Sequence, residues 1–230
     1  MIGFRHRRDA GRRLAAELQQ FAGRKNLLVL ALPRGGVPVG YEVARALGAP
    51  LDVLIVRKLG VPGHEELAMG AIASGGLRVL DERTIRMAGV PGAEIERTTA
   101  AEMRELARRE AAYRGTRPFP DLTGRTVIVV DDGLATGATM RAAVGALRQR
   151  QPAAIIVAVP VAASATCEAL RWTADDCVCV AQPEPFYGVG LWYHDFSQTT
   201  DDEVRALLDA ARTSLAPTTE QQRESEMHHW

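Results

Sequence analysis

Short apolar runs recur along the chain, and most are followed by a segment of helical period. Residues 27–32 (LLVLAL), 51–56 (LDVLIV), 127–130 (VIVV) and 154–160 (AIIVAVP) hold almost no polar position. That is the pattern of strands buried on both faces of a parallel sheet. Residues 176–181 add a further strand, and residues 39–47, 138–147 and 164–172 carry apolar positions at helical spacing, the last with Ser164 as its cap. The alternation predicts a doubly wound α/β sheet. Leu14, Ala15, Leu18 and Phe21 predict a first helix capped near Asp9. Residues 200–215 predict a last one capped near Thr200, with Asp201, Asp202 and Glu203 in its first turn.

Three stretches depart from the alternation. Residues 68–74 and 77–80 read as a hairpin around Gly75-Gly76. Residues 82–88 and 93–113 then predict a helical insertion, broken at Val90-Pro91-Gly92. Its longer part has only sparse apolar positions, among them Ile95, Met103 and Leu106, so it is mostly solvated or packs through one narrow stripe on the domain or on a second subunit. Residues 114–124, with Pro118 and Pro120, form the linker back to the next strand. Residues 182–198 gather Phe186, Tyr187, Trp192, Tyr193 and Phe196 in a chain that is only 5% aromatic, which marks either a satellite core or a flat-ligand site. The polar residues 216–230 are expected to be a disordered tail, leaving one domain over residues 1–215 with a core at about 27–181.

Composition removes several classes of function. The 230 residues can bury a sizeable core, and a formal net charge of +0 gives no general attraction to nucleic acid or membrane. No apolar run reaches transmembrane length, and residues 1–13 are basic but lead into an amphipathic segment, so a secretory signal is not expected. Cys167, Cys177 and Cys179 form no even framework and suit a reducing cytoplasm. Cys177 and Cys179 share one side of a strand, where a core role is expected.

The chemistry concentrates at strand ends. Residues 127–139 read VIVVDDGLATGAT: a buried strand, two acids, then a small-residue turn opening a helix. Backbone N–H groups at such a turn converge on one point, and the helix dipole favours an anion there. Gly137 allows close approach, and Thr136 and Thr139 add hydroxyls. Asp131 and Asp132 would repel that anion, so they call for neighbouring donors such as vicinal hydroxyls or a hydrated metal ion. A phosphate beside a diol is a sugar phosphate. Residues 27–32 run into Pro33-Arg34-Gly35-Gly36 and another helix, a second anion loop on the same edge. The third strand ends in Arg57-Lys58, two cations suited to a diphosphate. One of the arginines at positions 5–8 is a further phosphate candidate. His64-Glu65 has no second histidine at metal-protease spacing, so no metal site is expected there.

The stretch 127–139 closely resembles the ribose-phosphate signature of type I phosphoribosyltransferases: apolar residues, an acidic pair, then T-G-x-T. The resemblance implies that family's α/β fold, a parallel sheet flanked by helices, with a small hood from residues 182–198 and the N-terminal segment and with residues 82–114 as a helical insertion. It implies a Mg²⁺-dependent transfer of the 5-phosphoribosyl group from 5-phosphoribosyl 1-diphosphate (PRPP) to a nitrogen heterocycle, with release of diphosphate. Asp131 and Asp132 would hold the ribose diol and, through water, the metal. Ala135, Thr136, Gly137, Ala138 and Thr139 would hold the 5′-phosphate. Arg34, Gly35, Gly36, Arg57 and Lys58 would hold diphosphate, with a cis peptide at Pro33–Arg34. Lys58 and Glu65 would belong to a catalytic lid hinged at Gly60, Pro62 and Gly63, as the R-K-x-G-x-x-P-G wording resembles the lid of adenine phosphoribosyltransferases. Phe186, Tyr187, Trp192 and Tyr193 would face the acceptor. Enzymes for 6-oxopurines carry an aspartate before T-G, where this chain has Ala135, which argues against that acceptor class. A cytoplasmic homodimer acting on small molecules, with neither nucleic acid nor membrane as partner, completes the expectation.

Two other readings compete. A non-catalytic PRPP sensor uses the same site, but no basic nucleic-acid face accompanies it and Lys58 is present. A receiver-like phosphorylation domain also puts acids at strand tips, but has no use for T-G-A-T. A strand whose acids merely cap the next helix explains one acid and not the loop.

Overall fold

A computed structural model describes residues 3–215. The tail expected to be disordered, residues 216–230, lies outside the described residues. Five parallel strands form the main sheet: β1 (Leu27–Ala31), β2 (Leu51–Val53), β6 (Thr126–Val130), β7 (Ala154–Val161) and β8 (Asp176–Ala181), in the order β2-β1-β6-β7-β8. Alternate residues of each inner strand enter different cores, which is why these strands lack polar positions. Leu28 and Leu30 of β1, with Val127 and Val129 of β6, face α5 (Ala138–Arg148) and α6 (Ser164–Arg171). Leu27, Val29, Ile128 and Val130 face α1 (Arg7–Glu17), α2 (Gly36–Leu47) and α7 (Asp201–Leu215).

A second sheet of antiparallel strands, β3 (Val56–Val61), β4 (His64–Ala73) and β5 (Leu77–Leu80), lies on the α5 side. Its outer face buries Ile55, Leu59, Met69 and Ile72 against the insertion, α3 (Glu82–Ala88) and α4 (Gly92–Arg114). The narrow stripe expected of α4 is present, with Ile95, Thr99, Leu106 and Arg114 as its buried positions. Phe4 pairs with Tyr193 in a parallel bridge, so the N-terminal segment and residues 182–198 form a small hood with its own cluster of Phe4, Ala10, Val161, Ala181 and Tyr193.

Several local expectations are corrected. The cap of α1 is His6, whose Nδ1 accepts from the Asp9 N–H. Asp9 sits in the first turn beneath a set of arginines. The strand expected over 51–56 breaks after Val53, because Leu54 and Ile55 turn the chain from the parallel to the antiparallel sheet. The segment expected as a loop-like lid is a formed β3–β4 hairpin with register shifts at Leu59, Gly60 and Val61. At α6 the cap position is Ala163, without a side-chain bond. Packing of α6 on β8 brings Cys167 and Cys179 together as a disulfide, where three cysteines without an even framework were expected to suit a reducing compartment. Cys177 is free and buried in the sheet core, the role expected of it.

Candidate active site

The two anion loops meet at the carboxyl ends of β1 and β6. The Pro33–Arg34 peptide is cis, and the chain then enters α2 through Gly35 and Gly36. A Cβ at Gly35 would overlap Asp132 Oδ2, and one at Gly36 would stand 2.7 Å from the Val130 carbonyl oxygen. Both glycines are therefore needed for the first loop to lie directly on the acidic pair. Across from it, Gly137 caps α5 in the left-handed conformation (φ 68°). The first N–H groups of α5 have no intrahelical acceptor and open toward exposed Ala135, Thr136 and Thr139. Thr166 of α6 donates from Oγ1 to the Ala135 carbonyl at 2.6 Å, and Arg141 Nη1 donates to the Thr136 carbonyl at 2.8 Å, so the loop is held from both sides.

The acidic pair is charge-stressed. Burial, then the neighbouring Asp132 charge, pushes Asp131 well above the usual carboxylate range; burial also raises Asp132, against the opposing pull of Arg7. The Asp132 N–H donates to Asp131 Oδ1 at 2.8 Å. Arg7 Nε donates to Asp132 Oδ2 at 2.7 Å, its Nη1 donates to the Ser197 carbonyl at 2.6 Å, and its guanidinium lies 4.0 Å from the Phe196 ring centroid. Tyr193 donates its hydroxyl to the Asp132 carbonyl at 2.5 Å, and burial pushes its phenol up so that it stays a donor. Asp131 and Asp132 are hard oxygen donors with excess negative charge between them, a set that fits Mg²⁺ held through water.

A cavity of about 460 Å³ opens at the same sheet edge, reached by Pro33 and Arg34 of the first loop and Thr139 of the second. Pro33 and Arg34 form one wall, Leu54 to Val56 the floor, and Thr139 one corner. Arg108, Arg109, Ala112 and Tyr113 of α4, with Asp201 at the start of α7, complete its lining. Tyr113 donates its hydroxyl to Asp201 Oδ1 at 2.6 Å, and Arg34 lies 3.8 Å from the same carboxylate.

The residues singled out from the sequence thus divide. Arg34, Gly35, Gly36, Asp131, Asp132, Ala135, Thr136, Gly137, Ala138 and Thr139 converge on one sheet edge. Arg57 is paired instead with Glu102 of α4, and exposed Lys58 lines, with Glu65, a separate surface cavity of about 470 Å³. Phe186 packs on the hood cluster and Tyr193 is buried in it. Tyr187 and Trp192 line an apolar hood cavity of about 560 Å³ with Pro185, Leu191 and His194. Sequence reasoning missed Arg108, Arg109, Tyr113, Thr166 and Asp201 as neighbours of this edge. It noted the density of N-terminal arginines but could not choose Arg7 among them.

Parallel strands in this order, with two anion loops and an acidic pair at their carboxyl edge, define a type I phosphoribosyltransferase fold. Comparison with known proteins agrees. The phosphoribosyl transferase domain family matches residues 5–190. A Mycobacterium tuberculosis (strain ATCC 25618 / H37Rv) protein named as a phosphoribosyl transferase, Rv0571c, is 46% identical over 213 residues, 93% of this chain and 48% of that protein. The chain therefore spans about half the length of the mycobacterial relatives it matches. The bifunctional protein PyrR of Chloroflexus aurantiacus is 32% identical over 129 residues, 55% of this chain and 65% of that protein. The crystal structure of TT1426 from Thermus thermophilus superposes with a TM-score of 0.80 at 44% identity, covering 90% of this chain and 97% of that one. The chain belongs to the phosphoribosyl transferase domain family. Among the described residues no helix is long and apolar enough to cross a membrane.

Proposed function

We propose that the chain is a Mg²⁺-dependent phosphoribosyltransferase that moves the 5-phosphoribosyl group of PRPP to a ring nitrogen of a heterocyclic base. The observation that carries this is the direct seating of the Pro33 to Gly36 loop on Asp131 and Asp132, next to the open N-terminus of α5. That arrangement suits an anion, a diol and a second anion in a row. Asp131 and Asp132 accept from the ribose hydroxyls, and their charge faces the positive charge that develops on the sugar as the C1–O bond breaks. The N–H groups and hydroxyls of Ala135 to Thr139 fix the 5′-phosphate, and Arg34 meets the departing diphosphate, which takes the bond's electron pair. The acceptor nitrogen supplies the new pair to C1 and gives up its proton to water. Mg²⁺, when bound, offsets charge on the diphosphate. Lys58 and Glu65 reach the site by movement of the β3–β4 hairpin about Gly60, Pro62 and Gly63. The hood cavity beside Tyr187 and Trp192 takes the acceptor, and Ala135 disfavours 6-oxopurines.

Calorimetric titration of PRPP with Mg²⁺, followed by a panel of bases assayed for diphosphate release, tests the reading. Wild type binds PRPP, Asp131→Asn/Asp132→Asn does not, and at least one base gives diphosphate. PRPP binding unchanged in the double variant removes the site. Binding without turnover on any base leaves a sensor.

A further inference from the structure

The strongest unexplained feature is the wall that the inserted helix gives the 460 Å³ cavity. A helix added only for packing presents its apolar stripe inward and scatters its charges outward. Here the last turns of α4 turn two arginines and a tyrosine toward Arg34 and Thr139. Three guanidinium groups line the cavity against Asp201, with Glu105 bonded to two of them, so its charge balance stays positive and favours an anion. The groups also sense one another. The phenol of Tyr113 is pushed up to about 12, first by burial, then by its bond to Asp201, with Arg34 and Arg109 acting in the opposite direction.

Arg108 and Arg109 are held but not used up. Arg108 makes two 2.8 Å bonds to Glu105 and Arg109 a third, so two cations share one carboxylate. The hydrogen bonds from Arg108 and Arg109 hold Glu105 down to about 2, so it stays ionised throughout the neutral range. Both side chains remain substantially exposed, Arg108 at 69% and Arg109 at 47%. A planar fork with free N–H groups is the side chain best matched to phosphate oxygens.

We infer that α4 is a ligand-binding element of this site, in which Arg108 and Arg109 share the lining of one cavity with Arg34 and bind the diphosphate end of a sugar-phosphate substrate. The inference rests on the phosphoribosyl-transfer reading and adds to it a second wall, contributed by the insertion and not by the loops that carry the signature. It also accounts for Tyr113 and Asp201. Their hydrogen bond ties α4 to the start of α7 within the cavity lining.

Three probes separate this inference from its foundation: inorganic diphosphate with Mg²⁺, PRPP with Mg²⁺, and ribose 5-phosphate, which reports the Ala135 to Thr139 loop. In calorimetric titrations, Arg108→Ala/Arg109→Ala weakens diphosphate and PRPP at least tenfold and leaves ribose 5-phosphate unchanged. Arg104→Ala, on the same helix outside the cavity lining, changes none of them. Glu105→Gln frees both arginines and tightens diphosphate severalfold, a gain that a misfolded variant cannot give. Unchanged diphosphate and PRPP binding in the double variant overturns the inference while leaving the phosphoribosyl reading intact. An equal loss in Arg104→Ala overturns it too, by reducing the effect to general surface charge. Wild type that binds neither PRPP nor ribose 5-phosphate overturns both readings together.

Discussion

Arg7 Nε and Asp132 Oδ2 stand 2.7 Å apart although 125 residues separate them in the chain. The bond ties the first turn of α1 to the tip of β6, with both side chains largely buried, at 11% and 15% exposure. It also leaves Asp131 without an equivalent cation. The pair therefore has one carboxylate with an ion-pair partner of its own and one without, and burial raises both.

Because burial and the Asp132 charge raise Asp131 above its ordinary value of 3.8, the fold favours the protonated acid. Stability from this group is full below that ordinary value and is lost as pH rises through the folded value. Asp131→Asn, which cannot ionise, should stabilise the unliganded protein by about 1 kcal/mol at pH 8. The gain should shrink toward pH 4. Urea unfolding of both proteins across that range checks the sign. A gain that grows in acid would show that the carboxylate is the favoured form.

Gly35 leaves no room for a side chain against the pair. In Gly35→Ala the new methyl overlaps Asp132 Oδ2 and comes within 3.2 Å of Arg7 Nε, so the loop must lift away from the acids. Overpacking of this kind costs about 1–3 kcal/mol. PRPP affinity should fall at least tenfold in titration while the circular dichroism spectrum is retained. Wild-type affinity in this variant would mean that the loop and the acidic pair are not parts of one site.

Thr166 lies outside the signature, yet its hydroxyl donates to the Ala135 carbonyl at 2.6 Å. Thr166→Val keeps the shape and removes the bond, a change worth about 1 kcal/mol. Ribose 5-phosphate should then bind roughly fivefold more weakly if most of that energy holds the loop in its binding form. An unchanged affinity together with lowered stability would make Thr166 a purely structural partner.

Which parts of this site were readable in the sequence follows from how local each signal is. The strand, acids and T-G-A-T turn lie within thirteen consecutive residues, 127–139, and both anion loops announce themselves by glycine and charge at a strand end. Arg7, Thr166 and Arg109 carry no such mark, because each reaches the site only through packing between elements far apart in the chain. The hairpin was misjudged for a related reason. Residues 57–66 are polar and glycine-rich like a loop, but pairing with β4 supplies the hydrogen bonds that the residues do not advertise. The disulfide was missed because Cys167 and Cys179 belong to different elements, and only the docking of α6 on β8 brings them together.

Arg114 decides whether the insertion is fixed to the sheet. It is buried at the end of α4, where Nε lies 3.2 Å from both Asp52 oxygens, Nη1 donates to Glu110 at 2.9 Å and Nη2 donates to the Val53 carbonyl at 2.7 Å. Its guanidinium also stacks 5.2 Å from the Phe119 ring centroid. Removing the cation leaves two acids and a carbonyl facing each other, so Arg114→Met should cost about 3 kcal/mol, the lower end for a broken buried pair, since Asp52 and Glu110 keep some access to water. Arg114→Lys restores the charge but not the fork, and should recover less than half of that loss. Tyr113 is the residue before it in α4, so both variants should also weaken diphosphate binding in proportion to their loss of stability. Urea midpoints at constant slope, paired with diphosphate titrations, check both effects. Full rescue by lysine would reduce Arg114 to a point charge, and the anchoring of α4 would then have to come from its apolar stripe.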